Sequence, residues 1–166
     1  RTEESYEQSI AGKTASLLST ACRIGGLTGG LERHTVDQLT TFGHTYGMAF
    51  QIVDDILDVI ASEDQLGKPA GNDLIEGVYT LPVLLALESD VGEQLQELLG
   101  KELSTDERDR ALSLIRSTGA VEEAFTRAQF WAQKAKLELE SLPSSPATNA
   151  LSAATNHLLD RAQSAS

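Results

Sequence analysis

An all-α helical bundle is what this sequence predicts. Apolar residues recur at helical spacing through most of its 166 residues, and no stretch alternates apolar and polar side chains as a half-buried strand would. Two helix-start signatures, Thr35 with Gln38 and Ser104 with Glu107, stand ahead of periodic segments. The length matches one domain with a real core, and there is no internal repeat, low-complexity segment or linker. Residues 1–166 are therefore expected to form a single all-helical domain.

Taken in order, residues 2–22 read as a first helix with Tyr6, Ile10, Leu17 and Leu18 among its apolar positions and Lys13 and Thr14 in its middle. Gly25, Gly26, Gly29 and Gly30 are expected to end it as a C-cap and turn. They lack both Walker and dinucleotide spacing and follow no strand, so they do not read as a phosphate loop. The Thr35–Gln38 pair then starts a long helix running to Ala61. Residues 62–72, SEDQLGKPAGN, are polar and rich in turn formers and predict a loop. Thr80 and Pro82 start a short apolar helix through Leu87. Ser104–Glu107 opens one that reaches Arg116, and Gly119 separates it from a helix over 120–141. On that helix Phe125, Ala128, Trp131, Ala132, Ala135 and Leu139 keep helical spacing, with Trp131 assigned to the core. Ser145 and Pro146 begin the last helix, which carries Leu151, Leu158 and Leu159. His34, His44 and His157 show no metal-ligand spacing and receive no role.

The chemistry concentrates in GMAFQIVDDILD, residues 47–58. At about 100° per residue, with Gln51 at zero, Asp55 falls near +40°, Asp58 near −20° and Asp54 near −60°. The three carboxylates and the amide share one stripe, with Gly47, Gly43, Thr40, His44 and Asp37 on or near it upstream. Ile52, Val53, Ile56, Leu57, Val59 and Ile60 fill the opposite arc. Such an acidic end disfavours the helix: like charges at i,i+4 cost roughly 0.2–0.5 kcal/mol per pair, and anions at a C-terminus oppose the macrodipole. A solvated acidic face is the ordinary meaning of scattered Asp. Against it, the acids follow glycines and an amide on one stripe, and Asp recurs where the better helix former Glu would serve. Converging carboxylates suit a hard cation such as Mg²⁺, which takes one or two of them and completes its shell with water and phosphate. Nearby Cys and His give no zinc pattern.

Residues 50–58, FQIVDDILD, resemble the second aspartate-rich motif of the trans-prenyltransferases, the isoprenyl (polyprenyl) diphosphate synthases. Three further pieces match in order and spacing: Gly12-Lys13-Thr14-Ala15, then Gly67-Lys68-Pro69-Ala70-Gly71-Asn72-Asp73-Leu74, then Glu76-Gly77 leading to Thr80-Leu81-Pro82. A DDxxD alone is a weak pattern; the four in this order are specific. The resemblance covers roughly residues 1–90 by motif, and the helical tail is compatible with it. Many members carry a Lys after the Glu-Gly, where this chain has Val78. Glu-Gly-Val with Thr-Leu-Pro resembles bacterial long-chain synthases, so Val78 reads as subfamily variation.

The resemblance implies the C-terminal portion of an isoprenoid-synthase-type bundle, with the helices bearing the first aspartate-rich motif lying before residue 1. It implies a Mg²⁺-dependent prenyltransferase condensing isopentenyl diphosphate with an allylic diphosphate. Asp54 and Asp58 would belong to the metal cluster, with Asp55 supporting them and Asp73 as an outer ligand to metal or water. Lys13 and Lys68 would hold diphosphate, the second from a loop able to close over substrate, and Thr14 and Gln51 would turn oxygen dipoles toward a developing carbocation. Phe50 would lie by the substrates, or serve as ordinary core. The competing implications are another class I terpenoid synthase and a non-catalytic or regulatory subunit of a heteromeric synthase. A homodimer or heterodimer is the implied assembly.

A net charge of −12 argues against nucleic acid and anionic membrane surfaces as partners. Diphosphates are anionic too, so Mg²⁺ and local Lys are needed to hold them. The single cysteine, Cys22, excludes an internal disulfide and fits a reducing cytoplasm. No apolar run approaches the ~18 residues of a membrane span, and no signal peptide is visible. The start RTEESY, without Met, reads as a piece of a longer protein or a processed product.

Overall fold

The computed structural model describes residues 1–62 and 70–165, and every regular element among them is helical. A run from Glu3 to Thr28 comprises α1 (Glu3–Ile10), a π-helical turn (Ala11–Ala15) and α2 (Ser16–Thr28). The long helix follows as α3 (Arg33–Ile60). The rest are α4 (Asn72–Ile75), α5 (Leu81–Leu87), α6 (Gly92–Leu98), α7 (Thr105–Arg116), α8 (Ala120–Glu140) and α9 (Pro146–Ala165).

The described residues gather into two compact units. One comprises Arg1–Tyr6, Ile52–Thr126 and the residues from Ala162 on; the other comprises Glu7–Gln51 and Arg127–Arg161. In the first, the end of α3 is the central element: Ile52, Val53, Ile56 and Val59 are all buried. α5 is apolar on every side, and Leu81 through Ala86 are buried accordingly. The Ser104–Glu107 capping box forms as expected and starts α7, whose Ala111, Leu112 and Ile115 enter the core.

In the second unit α3 lies against the π turn and α2 at backbone contact. A Cβ added to Gly47 would stand 2.6 Å from Ala15 Cα, and one on Gly43 would stand 2.5 Å from the Leu18 carbonyl oxygen. The small residues on this side of α3 are thus required by helix–helix approach. Phe42, Ala135 and Leu139 form a core cluster there, with Tyr46 and Leu151 against it.

Two boundaries differ from the sequence reading. α2 passes through Gly25 and Gly26 and stops only before Gly29 and Gly30. A Cβ on Gly26 would meet Val36 Cγ2 at 3.2 Å, so close contact with α3 accounts for a glycine inside a helix. α3 begins at Arg33, and its hydrogen bonding starts with Val36 N–H donating to the Glu32 carbonyl at 3.0 Å. Thr35 is therefore already helical, and the Gln38 amide turns to the Ser141 hydroxyl instead of closing a capping box. α4 and α6 were not expected: α4 buries only Leu74, and α6, seven residues long, buries Gly92, Leu95 and Leu98, too short a run to display a period. Trp131 is half-buried, in edge contact with His44, and Leu17 is 69% exposed, so neither is a core residue.

Candidate active site

The acidic end of α3 lies in the first unit, and its three carboxylates have three different environments. Asp54 is exposed. Asp55 is 3% exposed and accepts a hydrogen bond of 2.6 Å from the hydroxyl of Tyr6 on α1. Asp58 is 6% exposed, and its Oδ2 accepts from the backbone N–H of Asp73 on α4 at 3.2 Å. A solvated acidic face is therefore ruled out for Asp55 and Asp58.

The carbonyls that end α3 are satisfied in succession. Ala61 N–H donates to Leu57 at 2.9 Å, Gly71 N–H to Asp58 at 2.8 Å, and Arg116 Nε to Val59 at 2.7 Å. Gly71 adopts φ +76° to start α4, a left-handed conformation that favours glycine. Arg116, from the far end of α7, sets a cation at the negative end of α3 and offsets what the nearby carboxylates oppose. Tyr6 and Arg116 were missed as supporting residues from sequence. The signal for Tyr6 was present: a buried phenol needs a partner for its hydroxyl.

The Lys13–Thr14 pair lies in the second unit, inside the π turn, where Ser16 N–H bonds back five residues to the Ala11 carbonyl. Such single π turns inside α-helices are frequent at functional sites. Lys13 is exposed. Thr14 Oγ1 donates to Gln51 Oε1 at 2.7 Å, joining positions 37 residues apart. Phe50 is half-buried, its ring 6.3 Å from that of Tyr46. Lys68, with most of the expected loop 62–72, lies outside the described residues.

Among the described residues, no three acidic, histidine or cysteine side chains converge to enclose a metal ion. Asp54 and Asp58, one helical turn apart, are oxygen donors of the kind a hard cation takes in ones and twos. That donor chemistry fits Mg²⁺ held in part by this chain. Asp55, turned to Tyr6 inside the unit, fits a supporting place better than a direct ligand.

Residues 1–115 match the family model described as polyprenyl synthetase. The chain belongs to the polyprenyl synthetase family. Heptaprenyl diphosphate synthase component 2 of Geobacillus stearothermophilus is 40% identical over 146 residues, a match covering 88% of this chain and 46% of that protein. Nonaprenyl diphosphate synthase of Mycobacterium tuberculosis (strain ATCC 25618 / H37Rv) is 36% identical over 161 residues, covering 95% and 48%. Among solved structures, geranylgeranyl pyrophosphate synthase from Corynebacterium glutamicum, complexed with calcium and isoprenyl diphosphate, aligns with a TM-score of 0.87 at 36% identity. That alignment covers 96% of this chain and 50% of that one. The all-α isoprenyl synthase fold is thus shared along nearly the whole chain, while the chain spans about half the length of the polyprenyl synthetase relatives it matches.

Proposed function

We propose that these residues serve, in the complete protein, a chain-elongating prenyltransferase that condenses isopentenyl diphosphate with an allylic diphosphate. The observation that carries this reading is the Thr14–Gln51 hydrogen bond of 2.7 Å, because it unites two separate sequence motifs in one polar pair. By donating its proton to Gln51, the Thr14 hydroxyl keeps oxygen lone pairs available for a carbocation. In the reaction, the allylic C–O bond breaks and the diphosphate leaves with the electron pair. The isopentenyl double bond then forms the new C–C bond, and loss of a proton makes the new double bond.

Each residue has a part. Asp54 and Asp58 hold Mg²⁺, with Asp73 behind Asp58 and Asp55 in support. Lys13, exposed beside Thr14, holds diphosphate, as does Lys68. Thr14 and Gln51 stabilise the allylic cation electrostatically. Phe50 borders the substrates. Bound Mg²⁺ would neutralise charge on the leaving diphosphate.

A second reading has a specific observation behind it. The Geobacillus relative is named as a component of its synthase, which supports assembly with a different subunit over a homodimer. The test is incorporation of radiolabelled isopentenyl diphosphate by the complete protein, with an allylic primer and Mg²⁺, alone and with candidate partner subunits. Elongated products support the proposal. Cyclised products would point to another terpenoid synthase, and absence of product under every condition would point to a regulatory subunit.

A further inference from the structure

We infer that Tyr6 is a positioning residue for the acidic turn of α3, acting through Asp55; the inference rests on the metal-binding reading of Asp54 and Asp58. Tyr6 is 1% exposed and Asp55 3%, so their hydrogen bond of 2.6 Å is withdrawn from water. A bond this short between a hydroxyl and a carboxylate has the geometry of a charge-assisted one. Replacing both partners of a buried hydrogen bond by apolar groups of the same shape can be nearly neutral for stability. What the polar pair adds is direction.

Asp55 stands next to Asp54 and three residues before Asp58 on the same helix, and all three cannot crowd one cation without repulsion. The Tyr6 hydroxyl draws the middle carboxylate into the unit and fixes the rotation of α3 about its axis. Asp58 is held from another side by the Asp73 N–H, and Asp54 is left at the exposed edge. The acidic turn is thus sorted into one carboxylate anchored by a phenol, one held by the backbone of α4 and one left exposed. Outer-shell partners of this kind tune metal affinity as well as geometry.

The experiment measures Mn²⁺ binding by electron paramagnetic resonance, with inorganic diphosphate present, in the complete protein. The relevant portion of binding is that removed by Asp54→Ala and Asp58→Ala. Tyr6→Phe, which deletes only the hydroxyl, should weaken that portion about tenfold and raise the Mg²⁺ concentration for half-maximal turnover by a similar factor. Asp55→Ala should weaken it comparably, and adding Tyr6→Phe to Asp55→Ala should change nothing further. Binding by Tyr6→Phe within twofold of the unsubstituted protein, where the two Asp variants abolish it, would overturn the inference and leave the metal reading standing. Additive losses in the double variant would overturn it as well, because Tyr6 would then act by packing. If Asp54→Ala and Asp58→Ala leave Mn²⁺ binding intact, the metal reading falls and takes the inference with it.

Discussion

Asp54 and Asp58 separate function from stability, because one is exposed and the other buried with a backbone N–H on its Oδ2. Asp54→Ala should change stability by no more than about 0.5 kcal/mol, as at most surface positions, yet remove most turnover of the complete protein. Asp58→Ala should cost about 1–3 kcal/mol, because the Asp73 N–H loses its acceptor. Far-UV circular dichroism, thermal melting and turnover measured side by side check both. Full turnover by Asp54→Ala at saturating Mg²⁺ would remove it from the metal site. Loss of helix in that variant would return it to a structural role.

At the scale of the element, α3 is defined by what lies against it. Gly47 has no room for a methyl group beside Ala15, so Gly47→Ala should destabilise by about 1–3 kcal/mol through overpacking. An unchanged urea midpoint would show that α2 and the π turn yield easily. The start of α7 carries a pH signature. A hydrogen bond from Lys101, then those from Ser104, hold the Glu107 carboxyl down at about 2. Its folded value is depressed, so the stabilisation is fully present above the ordinary glutamate range and is lost as pH falls toward 2. An NMR titration should find Glu107 at about 2, rising toward the ordinary value in Ser104→Ala. An unshifted Glu107 would show that the capping box is open in solution.

At the scale of the whole molecule, the second unit exposes an apolar stripe on α2: Leu17 at 69%, Ile24 at 54% and Leu27 at 56%. These fall within an arc of about 80° at helical spacing, more than a scatter of single exposed apolar residues. The stripe and the half-length match to relatives, with the proposed placing of only Asp54 and Asp58 on a metal, set an expectation for the isolated chain. The 166 residues alone should show no measurable condensation and should self-associate; adding the segment that supplies the other carboxylates, in cis or as a separate chain, should restore activity. Radiolabelled isopentenyl diphosphate assays and sedimentation velocity check this. Clear product formation by the 166 residues alone would show that the metal site is misplaced.

The sequence by itself determined the all-α class, the long helix with its acidic end, the Ser104 cap and the order of motifs, because each is written in periods and signatures a few residues long. It also supplied Lys13, Thr14, Gln51 and the three aspartates as the residues to watch. Tertiary structure alone decided how those aspartates divide. On a helical wheel Asp54, Asp55 and Asp58 share a stripe; in the fold Tyr6 turns Asp55 inward, Asp73 grips Asp58 and Asp54 keeps its exposure. The wheel places the upstream glycines on that stripe without a reason for their size, and the structure assigns them to contact with the π turn and α2. A wheel fixes the angle at which a side chain leaves its own helix, whereas the partner it meets there is set by elements 49 residues away for Tyr6 and 57 for Arg116.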